Sequence, residues 1–281
     1  MKLDTISAVV TGAAGGIGSE ICRRLTAAGA RVLLVGRCAE QLGKLAGTLA
    51  GEQNAAALRT RVDVLAVDLR LAQARQAVRD AARARHVNVR VHCAGVASFG
   101  PLQSLDDEHL ADVIATNLTA PIALTRLLLP TLSGAPEASI LNIGSALGSI
   151  GMPGFSVYAA AKGGLHAFSE ALRRELADGP IRVQFLGARA TRTAFNDARA
   201  EAFNRRTGAR SDPPEVVAQA AIELLANGRG ERYLGFPERL LVRLNGLAPG
   251  LLDPGFRRHR LALAPAPMPP TNPSTRDLPL P

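Results

Sequence analysis

The sequence predicts an α/β fold, a single doubly wound domain around a central, mostly parallel, seven-stranded sheet. Three observations carry that expectation. Apolar β-branched runs alternate along the chain with alanine-rich stretches of helical period, the pattern of strands feeding crossover helices. The first such run, Ala8-Val9-Val10, enters a glycine-rich turn, and an amphipathic segment with Ile21, Leu25 and Ala28 leaves it. A chain of 281 residues is long enough for one large α/β core.

Strands are expected at 6–10, 31–35, 63–67, 88–92, 138–144 and 181–186, with a short one near 231–235. Helices are expected over 17–28, 39–50, 71–85, 106–131, 156–177 and 214–226. The helix over 71–85 carries Arg75, Arg79, Arg83 and Arg85, which reads as a solvated face. The helix over 106–131 must be irregular near Asn117 and Pro121, because proline cannot donate an interior hydrogen bond.

The glycine turn reads Thr11-Gly12-Ala13-Ala14-Gly15-Gly16-Ile17-Gly18, with the spacing Gly-x-x-x-Gly-x-Gly at 12, 16 and 18. Strand, turn and helix in that order form the context that holds a dinucleotide. Gly12 permits the tight turn, Gly15 or Gly16 lets backbone approach a pyrophosphate, and Gly18 lets helix pack on sheet. Backbone N–H groups at the helix start then face the phosphates.

Tyr158 and Lys162 stand four apart on one expected helix and so share a face. A phenol of pKa ~10 is a poor proton donor near neutrality. Lowering it by about three units needs roughly 4 kcal/mol, and an ammonium about 4 Å away supplies on the order of 4 kcal/mol at a dielectric of 20. The pair is therefore sufficient for acid–base chemistry near pH 7. Ser145, thirteen residues before Tyr158, ends the strand-like run from Ser139 at the edge where ligands sit in open α/β sheets. Asn117 lies inside the apolar helical run from Asp112 to Leu118, where asparagine is mildly unfavourable. Backbone rearrangement or water binding is one reading of it, and a capping role is the other.

Together these residues resemble the short-chain dehydrogenase/reductase family, over roughly residues 5–235. The resemblance implies a Rossmann-type catalytic domain over 1–235, with a substrate lid at about 189–213, and an oxidoreductase acting on a CH–OH group. It implies Asn117, Ser145, Tyr158 and Lys162 as the catalytic tetrad, which they match in order and spacing. Cofactor contacts are implied at Gly12, Ala14, Gly16, Ile17 and Gly18, at Asp68 near the adenine, and at Ala94, Gly95, Asn117, Tyr158, Lys162 and Thr193. A homodimer or homotetramer, built through the helices carrying Asn117 and Tyr158, is implied as well. Two departures stand out. His92-Cys93 replaces the customary asparagine pair before Ala94-Gly95, which puts side-chain bracing of the central strand in doubt. Ala188-Arg189 replaces the customary Pro-Gly after the sixth strand, so Arg189 is either a substrate-recognition cation or an outward charge.

The second strand ends Val35-Gly36-Arg37. Gly36 removes the acid that would hold a ribose 2′-hydroxyl, and Arg37 offers a guanidinium suited to a 2′-phosphate. The expected cofactor is therefore NADP(H) rather than NAD(H). In the implied mechanism Tyr158 is the acid when hydride reaches a carbonyl carbon, and Lys162 depresses its pKa and binds the nicotinamide ribose. Ser145 orients the carbonyl oxygen, and Asn117 holds a water that links Lys162 to solvent. The substrate is a small carbonyl or alcohol compound. Phe195 and Phe203 lie beside Arg192, Arg199, Arg205, Arg206 and Arg210 in the lid. An apolar pocket with a basic rim would suit a lipophilic or acyl substrate with an anionic end; the bland reading is a mobile loop with solvated arginines. The rival function is a catalytically silent family member that binds the cofactor as a sensor or scaffold.

Net charge, at +9, does not point to nucleic acid. Lysine occurs only at Lys2, Lys44 and Lys162, arginine is scattered along the helices, and the aromatic 4% forms no stacking pattern. Cys22, Cys38 and Cys93 are odd in number and too scattered for a metal cluster or disulfide framework, as expected of reduced thiols in a cytoplasmic enzyme. Residues 1–15 lack a signal-peptide pattern, and no run of ~18 uninterrupted apolar residues occurs, so no spanning helix is expected. Residues 236–263 form an amphipathic helical extension, with a stripe of Leu240, Leu241, Leu244 and Leu247 beside Arg239 and Arg243, then Arg257-Arg258-His259-Arg260. It either docks on this protein's own core or a sister subunit, or makes peripheral membrane contact through 237–260. Residues 264–281 contain seven prolines and are expected to form a disordered tail.

Overall fold

A computed structural model describes residues 1–51 and 61–263, so the proline-rich segment 264–281 lies outside the described residues. All seven expected strands form: β1 (Ser7–Thr11), β2 (Arg31–Gly36), β3 (Val62–Ala66), β4 (Val89–His92), β5 (Ala138–Ser145), β6 (Ile181–Ala188) and β7 (Glu231–Tyr233). They lie in the order β3-β2-β1-β4-β5-β6-β7, and every neighbouring pair is parallel. The strand order reverses between β1 and β4, which opens a crevice at the carboxyl ends of the strands.

Helices α1 (Gly16–Ala27), α2 (Ala39–Gly51), α3 (Ala72–Ala84), α4 (Asp107–Ile114), α5 (Ala120–Ser133), α6 (Ser156–Glu175), α7 (Ala198–Thr207), α8 (Pro214–Asn227), α9 (Glu238–Leu247) and α10 (Arg257–Leu263) cover the sheet and its carboxyl edge. Strand side chains alternate between faces, so Ala8 and Val10 belong to one core while Val9 belongs to the other. The first core joins Ile21 and Leu25 of α1 to Val217, Ala221 and Leu224 of α8. The second joins Val78 of α3 to Leu124, Leu128 and Leu132 of α5 and Leu172 of α6. Helix α7, inside the lid, has no counterpart in the sequence expectation. Asp197 caps its start by accepting from the Ala200 N–H at 2.7 Å, and Gly208 ends it at φ +76°.

The expected irregularity near Asn117 and Pro121 is a single π turn over Ala115–Thr119, between α4 and α5. Backbone rearrangement, not capping, is what the asparagine marks. The continuous run Asp107–Ser133, 27 residues, is long and apolar enough by length and composition to cross a membrane. Charged and polar residues interrupt it, so it contains no run of ~18 uninterrupted apolar residues. In this fold it packs on the sheet, with Leu124, Leu128 and Leu132 fully buried.

Arg90, on the central strand β4, is fully buried. Its Nη1 donates to Thr125 Oγ1 at 2.8 Å and to Asn142 Oδ1 at 3.2 Å, while Nε and Nη2 meet no acceptor among the described residues. Burial pushes its guanidinium down to about 9. A core cation without a carboxylate costs more than an apolar side chain of similar volume. Arg90→Met is therefore expected to raise the unfolding free energy by about 1–4 kcal/mol, read from urea denaturation. A fall in stability would mean that the bonds to Thr125 and Asn142 outweigh the cost of burial.

Candidate active site

A cavity of about 1220 Å³, with mostly apolar walls, occupies the carboxyl edge of the sheet. Its floor is the turn after β1. Gly12 sits at φ +65°, and a Cβ there would lie 2.7 Å from Ala94 backbone atoms. A Cβ on Gly18 would lie 2.2 Å from the Gly12 carbonyl oxygen, and one on Gly16 would lie 2.4 Å from Thr193 Cγ2. Gly12 and Gly18 are thus needed for turn and helix packing, and Gly16 faces the lid side of the cavity. Helix α1 starts behind Gly15 with no side-chain cap, which leaves its first N–H groups to a ligand. Gly12, Ala14, Gly16, Ile17 and Gly18 all line the cavity, as do Ala94, Gly95 and Thr193. These features fit a dinucleotide pyrophosphate: the backbone cradle is of a kind that side chains would fill.

The altered pair at His92-Cys93 is braced by a different group. Thr11 Oγ1 accepts from the Cys93 and Ala94 N–H groups, each at 3.3 Å, and bonds His92 Nδ1 at 3.0 Å. Burial, with Arg90 and then Lys162 nearby, holds His92 well below its ordinary pKa, so it is neutral. Thr11 opens the glycine turn, and the register of β1 against β4 places it opposite His92.

Three of the four tetrad residues converge on one wall. Ser145 ends β5, and Tyr158 projects from the first turns of α6; both line the cavity. Lys162, one turn on, is buried behind them, with Nζ donating to the Ile143 carbonyl at 3.2 Å and lying 5.8 Å from the Tyr158 ring centre. Asn117 is buried a layer further back, and its amide spends both ends on Val96: Nδ2 donates to the carbonyl at 2.8 Å, and Oδ1 accepts from the N–H at 2.9 Å. Gly95 links the two layers, since a Cβ there would lie 3.0 Å from Asn117 Oδ1 and 3.8 Å from Lys162 Nζ. Asn117 therefore shapes the strand end that backs the site, rather than reaching the cavity.

Electrostatics differ from the sequence expectation in one respect. Burial pushes the Tyr158 phenol up, and the Ser145 hydroxyl offsets part of this by hydrogen bonding. Lys162 lies beside the phenol, its Nζ 5.8 Å from the ring centre. Its own ammonium is pushed down to about 8 by burial, with the Cys93 thiol opposing. Desolvation outweighs the attraction that the four-residue spacing suggested, because both groups left water together.

Of the other candidates, Arg37 is exposed at the cavity rim beyond β2. Asp68 is engaged within the protein. Both its carboxylate oxygens accept from Arg70, at 2.7–3.1 Å, which holds its carboxyl below the ordinary range. It does not line the cavity. Arg189 lines the cavity and is paired there with acids of this chain. Its Nε and Nη2 donate to the two oxygens of Asp212 at 2.8 and 2.5 Å, and Nη1 lies 3.6 Å from Glu238 Oε1. The guanidinium is thus neutralised, and it clamps the lid base to the start of α9. Residues missed by the sequence reading include Phe99, which stacks with Phe155 and Phe203 at centroid distances of 5.0 and 4.9 Å. Phe195 of the lid meets the Tyr158 ring edge-on at 6.0 Å. The five lid arginines are exposed.

Comparison with known proteins agrees with this geometry. A family model described as short chain dehydrogenase matches residues 7–203. A 3-oxoacyl-[acyl-carrier-protein] reductase of Chlamydia trachomatis is 30% identical over 227 residues, covering 79% of this chain and 90% of that protein. A galactitol 2-dehydrogenase of Cereibacter sphaeroides is 35% identical over 187 residues, covering 66% and 71%. Among solved structures, a short-chain dehydrogenase from Sphingobium yanoikuyae in complex with NADPH is 26% identical, with a TM-score of 0.75 over 88% of this chain and 95% of that one.

The depressed Lys162 makes stability depend on pH. The unfolded chain binds more protons than the native one between about pH 8 and its ordinary pKa, so stability rises with pH across that window. Above ~10 the raised Tyr158 phenol works in the opposite direction. Urea denaturation at pH 7.5 and 9.5 is expected to show a stability gain in the native chain that Lys162→Met lacks.

Proposed function

The chain belongs to the short-chain dehydrogenase family of oxidoreductases, and from that premise we propose that it is an NADP(H)-dependent enzyme interconverting a carbonyl and an alcohol. The observation that carries this reading is the convergence of Ser145 and Tyr158 on the cavity wall, beside the glycine cradle and in front of buried Lys162. A bound nicotinamide dinucleotide supplies or takes up hydride. The chain's own residues manage the oxygen. Tyr158 gives its phenolic proton to the oxygen of the carbonyl as it becomes a hydroxyl, and takes it back in the other direction. Ser145 donates a hydrogen bond that fixes that oxygen within reach of Tyr158. Lys162 returns a proton to the phenolate and stabilises it while charged, and Asn117 holds the strand end that backs both. The mostly apolar walls keep water from the reacting centre.

Cofactor preference rests on Arg37. Arg70 holds the Asp68 carboxylate by hydrogen bonds, and Arg37, whose charge also acts on that carboxylate, stands exposed at the rim with a guanidinium suited to a 2′-phosphate. The rival reading, a silent cofactor-binding scaffold, leaned on the altered pairs at 92–93 and 188–189. Thr11 supplies bracing at the first, and Arg189 is an internal clamp at the second, so neither weakens the catalytic wall.

A lipophilic or acyl substrate is the favoured class. The apolar walls support it, as does similarity to a 3-oxoacyl-[acyl-carrier-protein] reductase. A cytoplasmic homodimer or homotetramer belongs to the same proposal.

Tyr158→Phe is expected to lower carbonyl reduction by about 10³-fold while NADPH binding, read by fluorescence titration, stays within about two-fold. Substantial residual turnover would remove Tyr158 as the acid. The ratio of kcat/KM with NADPH to that with NADH is expected to exceed unity and to fall in Arg37→Ala. A native preference for NADH would refute the cofactor assignment.

A further inference from the structure

We propose that the outward face of the C-terminal extension docks on an anionic phospholipid bilayer, placing the mouth of the cavity at the lipid surface. The sequence left two readings for this segment, and the structure divides them between two faces of one helix. Leu241 and Leu244 of α9 turn inward, with Leu241 lining the cavity, and Asn245 Nδ2 donates to the Ser149 carbonyl at 2.8 Å. The opposite face carries Arg239, Leu240, Arg243 and Leu247, all exposed. At 3.6 residues per turn these occupy an arc of about 100°, with the two arginines on one side and the two leucines on the other.

The apolar exposure is concentrated here. Of ten exposed large hydrophobic side chains among the described residues, five lie in this extension: Phe236 at 73%, Leu240 at 57%, Leu247 at 86%, Leu251 at 67% and Leu261 at 62%. Arg257, Arg258 and Arg260 are exposed beside them. The two acids of the extension are Glu238, which pairs with Arg189, and Asp253. Apolar side chains bordered by arginine, with little acid, make the composition of an interfacial segment on anionic lipid. A second copy is the poorer occupant, because a two-fold contact would set this arginine face against itself.

The position of the face adds a functional consequence. Phe236 protrudes and also lines the cavity, together with Leu252 and Phe256, so the exposed patch and the cavity rim are continuous. That the bilayer supplies substrate to the cavity rests on the lipophilic-substrate reading above; the docking itself does not.

The test is co-sedimentation of the full chain with phosphatidylcholine vesicles, with and without phosphatidylglycerol. Binding is expected only with phosphatidylglycerol, and is expected to fade in ~0.5 M salt. Arg239→Gln with Arg243→Gln should weaken it by about 25-fold, at roughly five-fold per arginine. Leu240→Ser with Leu247→Ser should weaken it ten-fold or more, while leaving reduction of a water-soluble ketone unchanged. No binding to phosphatidylglycerol vesicles, or unchanged binding in both double variants, would overturn the proposal. Self-association that the leucine variant abolishes, without vesicle binding, would assign the face to a second copy and overturn it too. Activity on a lipophilic ketone without vesicle binding would sink the docking and spare the catalytic reading. Vesicle binding without reductase activity on any carbonyl would do the reverse.

Discussion

The close approach of the turn after β1 to the turn after β4 is the constraint on which the rest of the site depends. Gly12 takes a left-handed conformation, and its missing Cβ leaves room for Ala94 backbone at a separation no other residue could accept. Because the two turns lie that close, one hydroxyl, that of Thr11, can serve the amides of both Cys93 and Ala94. Gly95 then comes against Asn117, and the end of β4 is held between the glycine turn in front and the π turn behind. The crevice at the switch in strand order follows from this geometry. A bulkier residue at 12 would separate the strands and unseat the tetrad together with the cradle.

Around that crevice the protein buries more cationic chemistry than anionic. Lys162 and Arg90 are both buried, and His92 between them is held neutral. None of the three pairs with a carboxylate among the described residues; hydroxyl, amide and carbonyl oxygens take their place. The consequence is a lysine whose charge is easily given up near neutral pH, next to a phenol that holds its proton. That is a suitable pairing for passing a proton inward to the phenol, and less suitable for stabilising a permanent phenolate. The acid–base behaviour of Tyr158 is therefore set first by burial and second by the Ser145 hydroxyl.

The lid and the C-terminal extension are built as one unit. Asp212 closes the lid by bonding Ala190 through its N–H at 2.8 Å and Arg192 through its carbonyl at 2.9 Å, and its carboxylate holds Arg189. Arg189 reaches on to Glu238 at the start of α9, and Arg258 of α10 returns to the Arg206 carbonyl of α7. Phe203 sits at the centre, against Phe99, Phe155 and His259. The cavity wall is therefore shared between segments distant in sequence.

The sequence by itself determined the fold class, the seven strands, and which phenol and hydroxyl meet on the cavity wall. Each of those is written in local pattern: alternating apolar and helical runs, glycines at a turn, a phenol and an ammonium one helical turn apart. It also located the irregularity at Asn117, because an asparagine and a proline in an apolar helix conflict with helix geometry in any context. Tertiary structure decided what local pattern cannot carry. That Arg189 lines the cavity while bonded to Asp212, twenty-three residues away, followed only from the packing of the two segments. The pairing of Asp68 with Arg70, and through Arg70 with Asp112, is likewise a matter of packing. The burial of Arg90 inside an apolar strand, and the division of the leucine stripe between an inward and an outward face, followed from packing alone. Charge and exposure are properties of surroundings, and surroundings are assembled only when distant segments meet.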